Sequence, residues 1–282
     1  MAKICAGIVS YNPSIEILAL NINSILPQVE QVYVIDNGSE NINEIKNNFS
    51  KVVDIIENNE NRGIATALNQ MCEIAYNNNF EWILTLDQDT ICPNNIISCM
   101  DIFTDKPDIG IICPDVKYDG WPQKKESSNK DFEIVYACMT SASLTNIFAW
   151  KKVNGFEEEY FIDYVDNEFC MKLALNGYKV FRTFSCSINH QLGISGEKKI
   201  FGKIYVRFTK HNPLRFYYMS RNNYVFIKKY KRHLSVMKEY CKLIYILLKG
   251  ILFADNKRET MKYIFKGICD GYNNIMGKYN AS

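Results

Sequence analysis

Apolar and polar positions fall in short blocks along the first third of the chain, and the blocks alternate between two periods. Ile4–Ser10 is a compact apolar run of strand length. Ile15–Leu26 carries its apolar residues at helical spacing. Gln31–Ile35 predicts a second strand, which stops at the turn formers Asp36-Asn37-Gly38-Ser39. Ile42–Phe49 predicts a helix and Val52–Glu57 a third strand. Gly63–Asn77 predicts a further helix with Ala65, Leu68, Met71, Cys72 and Ile74 on one side, and Trp82–Leu86 a fourth strand ending at Asp87.

The second half is less regular. Gly110–Val116 and Phe132–Leu144 read as strands on either side of a polar loop, a helix starts near Val165 and runs to Asn176, and Val180–Asn189 is another strand. The stretch 193–212 is polar and lysine-rich and is expected to be a loop able to move over a site. From Pro213 onward the spacing is helical. No internal repeat or low-complexity tract interrupts this order.

Strands alternating with helices through short connections imply a mostly parallel sheet with helices on both faces. In such sheets ligands bind beyond the carboxyl ends of the strands. Ser10-Tyr11-Asn12, Asp36-Asn37 and Asp87-Gln88-Asp89 each directly follow a predicted strand, so three polar clusters should share one rim.

Charge adds an asymmetry that the formal net charge of +2 conceals. Residues 197–282 hold 19 Lys and Arg against 5 Asp and Glu, a balance of +14, and residues 1–196 hold the remaining 14 against 26, a balance of −12. A basic tail on an acidic body suits an anionic surface. No nucleic-acid-binding motif accompanies it, so nucleic acid is not expected as a partner. Met1–Ser10 reads as a first strand and not as a signal peptide, and no run reaches the ~18 apolar residues of a membrane span. The ten cysteines are dispersed without a CxxC pair and are expected as buried thiols in a reducing compartment.

The candidate chemistry is acidic. Asp87 and Asp89 put two carboxylates at a strand end, where one can hold a divalent cation that neutralises a diphosphate. An isolated pair of this kind also reads as a solvated turn, and it is the strand before it and the neighbouring rim clusters that favour the ligand reading. Asp163 and Asp166 stand three apart near a helix start, where a carboxylate either caps the helix or acts as a general base on an acceptor hydroxyl. His190 follows a strand and is a candidate third metal ligand.

Taken together, these segments resemble the family 2, GT-A-fold inverting glycosyltransferases, and within them the bacterial rhamnosyltransferase branch. The likeness runs through Ile8-Val9-Ser10-Tyr11-Asn12-Pro13, Val34-Ile35-Asp36-Asn37-Gly38-Ser39, Asn61-Arg62-Gly63-Ile64-Ala65-Thr66-Ala67-Leu68-Asn69 and Asp87-Gln88-Asp89. It continues through Gly155-Phe156, Phe161-Ile162-Asp163-Tyr164-Val165-Asp166-Asn167-Glu168-Phe169-Cys170, His190 with Gly193, His211-Asn212-Pro213 and Tyr217-Tyr218-Met219-Ser220-Arg221-Asn222.

The resemblance implies a Rossmann-like mixed α/β sheet flanked by helices over residues 1–212, with a basic helical extension over 213–282. It implies that Ser10, Tyr11, Asn12 and Asp36 border the donor's base, and that Asn61, Arg62, Gly63 and Asn69 line the nucleotide and sugar. Asp87, Gln88 and Asp89 would face ribose, diphosphate and Mg²⁺ or Mn²⁺, with His190 as a further ligand. Arg215 and Arg221 would neutralise phosphate. Asp166 matches the base position, with Asp163 as its rival because Val165 replaces the Glu that many members carry before the base. Ala142 stands where many rhamnosyltransferases have Gly. The implied donor is dTDP-L-rhamnose, with a UDP-hexose or UDP-galactofuranose as the alternative. The implied acceptor is a saccharide or lipid-linked saccharide, met at the inner face of the plasma membrane by a peripheral cytoplasmic enzyme. A sugar nucleotidyltransferase is disfavoured because Ser10-Tyr11-Asn12-Pro13 replaces the Gly-rich basic loop such enzymes carry. A non-catalytic sugar-binding protein is disfavoured because both aspartates and a base candidate are present.

Overall fold

The computed structural model describes residues 2–118, 131–190, 195–200 and 204–280, and divides them into two compact units. The first comprises Met1–Phe161 and Val165–His190, the second Ile162–Tyr164 and Gln191–Ser282.

The first unit is built on an eight-stranded sheet. Its first half follows the alternation read from the sequence: β1 (Ile4–Ser10), α1 (Ile15–Ile25), β2 (Val32–Asp36), α2 (Ile42–Phe49), β3 (Asp54–Glu57), α3 (Ile64–Asn77) and β4 (Trp82–Asp87). These four strands lie parallel in the order β3-β2-β1-β4. The chain builds outward from β1 to β2 and β3, then returns to place β4 on the other side of β1. This reversal opens a crevice at the strand ends, the usual ligand position of open α/β sheets.

The remaining strands make the sheet mixed. β5 (Ile109–Tyr118), β6 (Phe132–Val135), β7 (Ser143–Asn146) and β8 (Lys179–His190) extend it in the order β7-β5-β8-β6. β7 runs antiparallel to both β4 and β5, β6 runs antiparallel to β8, and β5 and β8 are parallel. α4 (Ile96–Asp101), α5 (Ile147–Lys152) and α6 (Val165–Leu175) complete the unit. The core is continuous through β1, β2 and β4, where Ala6, Ile8, Val34, Leu84 and Leu86 are buried with Leu18 and Ile22 of α1.

The single strand expected over Phe132–Leu144 is two strands that never meet, because β6 pairs at the sheet edge and β7 inserts between β4 and β5. The chain turns between them at Ala142, buried with φ at 59°. The polar loop expected over 193–212 contains an antiparallel hairpin, β9 (Ser195–Ile200) with β10 (Ile204–Thr209). Ile204-Tyr205-Val206 and Phe208-Thr209 are β-branched and aromatic residues suited to a strand, which the lysines around them obscured. Gly193, quoted with His190 above, lies outside the described residues.

In the second unit the hairpin precedes three helices, α7 (Pro213–Tyr230), α8 (Val236–Phe253) and α9 (Lys257–Tyr272). Asn212 caps α7, its Oδ1 accepting from the Arg215 amide at 2.8 Å, and Pro213 opens the first turn. α7 and α9 pack almost backbone to backbone. A Cβ at Gly267 would collide with the Tyr217 carbonyl, and Ser220 Oγ donates to the Ile264 carbonyl at 3.1 Å. Phe216, Ile246 and Ile264 form a small core shared by the three helices.

Of the ten cysteines, six are fully buried as expected, but Cys241 and Cys269 are exposed on α8 and α9. Among the described residues no helix is long and apolar enough to cross a membrane.

Candidate active site

The three polar clusters do share one rim. In the sheet register Ser10 lies opposite Asp36, and Val9 opposite Asp87, so β1, β2 and β4 end side by side. The exit of β1 is tied directly to the acidic motif, because the Tyr11 amide donates to Gln88 Oε1 at 2.7 Å. Tyr11 is exposed beside it, Asp87 and Gln88 are half-buried, and Asp89 is exposed. Asp87 is held through its backbone: its amide donates to Ser141 Oγ at 3.0 Å and its carbonyl accepts from Asn21 Nδ2 at 2.6 Å. Ser141 in turn hydrogen-bonds Thr90, so both ends of the Asp87-Gln88-Asp89 turn are anchored from the core.

Asp36 is fully buried and serves its own turn. Its Oδ1 accepts from the hydroxyls of Ser10 and Ser39, and its Oδ2 from the amides of Gly38 and Ser39. Four donors match the four acceptor positions of a carboxylate. Asn12 closes the same corner with a left-handed φ of 47°, donating from its amide to Ser39 Oγ and accepting the Glu40 amide at Oδ1, each at 2.8 Å.

Asn37, which the sequence presents only as a turn former, is the hub that joins this corner to the start of α3. Its Nδ2 donates to Asn61 Oδ1 and the Gly63 carbonyl, and its Oδ1 accepts from the Arg62 amide and from Asn58 Nδ2. Gly63 has φ at 87°, and a Cβ there would lie 2.7 Å from the Phe161 carbonyl oxygen, which accepts the Ile64 amide. The close approach at Gly63 is therefore to the chain itself. The Arg62 side chain is exposed.

Asn69 lies further along α3, away from the rim residues it was grouped with. Its Oδ1 accepts from Trp150 Nε1 and the Phe156 amide, and its Nδ2 donates to the Phe156 carbonyl and Glu158 Oε1. It borders a cavity of about 410 Å³ lined also by Glu73, Trp150, Lys151 and Glu158.

Asp166 sits in the first turn of α6, half-buried. His190 ends β8 opposite Tyr118, whose ring it meets edge to face at 6.2 Å. Among the described residues no three His, Cys, Asp or Glu side chains gather as a metal cage, so His190 is not assembled with Asp87 and Asp89.

In the second unit Asp163 is clamped. Arg215 Nε and Nη2 donate to its two carboxylate oxygens, each at 2.9 Å. Asp163 and Tyr164 both have φ near 64° in the left-handed region (63° and 65°), and α7 holds them there. Asn222 Nδ2 donates to the carbonyls of Ile162 and Asp163 at 2.7 and 2.9 Å, and Asn223 Nδ2 donates to the Tyr164 hydroxyl.

Arg221 is fully buried. Its Nε donates to Asn222 Oδ1 and its Nη1 to the Gly277 carbonyl, and its plane lies over the rings of Tyr217 and Tyr218. A guanidinium so enclosed ties α7 to the chain's end and is not presented to a ligand.

Lys249, one of the two lysines within the apolar run of α8, is buried in the electrostatic field of Arg215 and Asp163. Burial lowers its affinity for a proton, Arg215 adds to that, and Asp163 opposes it. His211 is held down at about 4 by burial, with the positive charges of Lys249 and Arg215 adding to the effect.

The sequence profile of "Glycosyl transferase family 2" matches residues 5–182, well over half of the chain. The dTDP-rhamnosyl transferase RfbF of Shigella flexneri is 25% identical over 304 aligned positions, covering 99% of each chain. Among solved structures, residues 1–349 of S. aureus TarS in complex with UDP-GlcNAc superpose with a TM-score of 0.62 at 17% identity, over 97% of this chain and 81% of that one. GalNAc-T7 with UDP, GalNAc and Mn²⁺ gives a TM-score of 0.63 at 11% identity, over 98% of this chain and 56% of that one. The fold is that of the GT-A glycosyltransferases.

Proposed function

The chain belongs to glycosyl transferase family 2 and is a glycosyltransferase, and from that premise we propose that it moves L-rhamnose from dTDP-L-rhamnose to a hydroxyl of a saccharide or lipid-linked saccharide, with inversion. The observation that carries the reading is the shared rim, where the ends of β1, β2 and β4 set Ser10, Tyr11, Asp36 and Asp87-Gln88-Asp89 around the crevice beside β1. The choice of donor is supported by the full-length likeness to a dTDP-rhamnosyl transferase.

In this reading Tyr11 and Asn12 border the base, and Asp36 and Asn37 hold the corner that shapes its pocket. Asn61 and Gly63 set the backbone beside the donor, and the exposed Arg62 meets its phosphates. Asn69 and Arg221 act at a distance, as fasteners of α3 and of α7.

The half-buried Asp87 and the exposed Asp89 fit Mg²⁺ or Mn²⁺ in the way such ions usually bind, through one or two carboxylates together with substrate phosphates and several waters. Bound there, the ion would neutralise charge developing on the departing diphosphate.

Asp166, in the first turn of α6 and at the position that matches the family's base, is taken as the base, and Asp163 is held by Arg215 as a positioning residue. Asp166 takes the proton of the acceptor hydroxyl as the acceptor oxygen attacks the anomeric carbon, and the nucleoside diphosphate leaves from the opposite face. The enzyme works at the cytoplasmic face of the membrane, where lipid-linked acceptors are presented.

A thermal-shift panel tests the donor. A ligand at about 100 times its Kd stabilises the folded state by ~2.7 kcal/mol. dTDP-rhamnose with Mn²⁺ is expected to raise the Tm, and UDP-glucose, UDP-galactose and UDP-GlcNAc are not. A shift with a UDP-sugar instead would replace the donor while leaving the family intact.

A further inference from the structure

α8 has a face that, among the described residues of its own unit, is left largely exposed. One side of the helix is buried through Glu239, Leu243, Ile246 and Gly250. Met237, Tyr240, Ile244, Leu248 and Ile251 recur at spacings of three and four on the other side, joined by Tyr245, and are 43% to 75% exposed. At 3.6 residues per turn these positions span an arc of roughly 140° and a length of about 22 Å. The exposed Cys241 lies inside the arc, and no charged residue does. Lys238, Lys242 and Lys249 all fall along one edge of it. A soluble surface rarely leaves so long an apolar stripe without a partner.

Charge decides what the partner is. Residues 228–266 hold eleven Lys and Arg against three Asp and Glu. Those on either side of α8, namely Lys228, Lys229, Lys231 and Arg232 before it and Lys257, Arg258 and Lys262 after it, are exposed. A second copy docking on this face would bring two such basic tails together and repel. An anionic bilayer attracts them and accepts the apolar stripe between them.

We propose that the exposed apolar face of α8 lies in the interface of an anionic membrane, parallel to its plane, with Ile244 and Leu248 inserted below the headgroups and the flanking lysines and arginines held by lipid phosphates. This is the in-plane mode of an amphipathic helix, and it needs no spanning segment. It assigns a surface and an orientation to the membrane association proposed above. It stands independently of which sugar is transferred, because its test reads binding and not turnover.

The full-length chain is mixed with vesicles of phosphatidylcholine containing phosphatidylglycerol, and with vesicles of phosphatidylcholine alone. A second sample carries Cys269→Ser and an environment-sensitive fluorophore on Cys241. The chain is expected to sediment with the anionic vesicles. On those vesicles the Cys241 probe is expected to shift to the blue and to be quenched by bromine on the lipid chains. Ile244→Asp with Leu248→Asp, both at exposed positions, is expected to weaken binding at least tenfold while the unfolding temperature stays unchanged. Absence of binding to anionic vesicles would overturn the proposal. So would binding that leaves the Cys241 probe in water, since the membrane would then meet another face. Should the double variant misfold, the Cys241 probe in the otherwise native chain still decides. Concentration-dependent dimerisation without lipid, abolished by the same substitutions, would give the face to a second copy instead.

Discussion

Replacing Asn222 by Ala tests how the left-handed turn at Asp163 and Tyr164 is held. Asn222 is fully buried and its amide nitrogen serves two carbonyls, those of Ile162 and Asp163, while its oxygen accepts from Arg221 Nε. Each backbone–side-chain hydrogen bond contributes about 0.5–1.5 kcal/mol net, and the one to the charged guanidinium about 1.5–3 kcal/mol. Truncation removes all three at once, so a loss of roughly 3–5 kcal/mol follows. Asp163 and Tyr164 work against this loss, since a left-handed conformation costs about 1–2 kcal/mol per residue and any relaxation once the clamp is gone offsets part of it. The assay is urea unfolding followed by far-ultraviolet circular dichroism, comparing the wild type with Asn222→Ala and Asn222→Asp. The Asp variant keeps the acceptor for Arg221 but loses both donors and sets a carboxylate against two carbonyls. Both variants should unfold at clearly lower urea. A loss below about 1 kcal/mol in both would refute the reasoning, because losing even one bond of ordinary strength should cost that much.

Two further outcomes follow from the geometry. Gly63→Ala should destabilise the chain by at least ~2 kcal/mol, since the residue sits at φ 87° and the new Cβ would press on the Phe161 carbonyl oxygen at 2.7 Å; an unchanged urea midpoint would contradict this. His211 titrates at about 4 in the folded chain against 6.5 for the ordinary side chain, so below pH 6.5 the unfolded chain binds the extra proton. Stability should therefore fall as pH drops from 6.5 toward 4, by at most ~3 kcal/mol before solvent screening, and His211→Gln should flatten that part of the profile in thermal unfolding.

The parallel half of the sheet was legible because each of its elements has one period and one turn signal. Ile4–Ser10 and Ile42–Phe49 are found where the pattern puts them. The shared rim followed from topology alone, since strand ends in a parallel sheet must converge. What the pattern hid is what depends on contacts distant in sequence. α4 and α5 are six residues each, too short for a helical period to register. The split of Phe132–Leu144 is imposed by strand pairing, and the buried state of Arg221 by the packing of α7 against the chain's end. Asn37 and Asn222 look like ordinary polar residues in sequence, and only the carbonyls and amides around them reveal their work. Ala142 is a different case. Its left-handed φ is one that glycine adopts most readily, and here the turn forms with alanine.

The most direct test of the central account is donor turnover by Asp166→Asn beside donor binding by the same variant. With dTDP-rhamnose, Mn²⁺ and an acceptor saccharide, the account expects release of dTDP to fall by a factor of about 10²–10⁴, the usual worth of a general base, while calorimetric affinity for the donor stays within a few-fold of the wild type. Wild-type turnover in Asp166→Asn would contradict the account and hand the base role to another carboxylate.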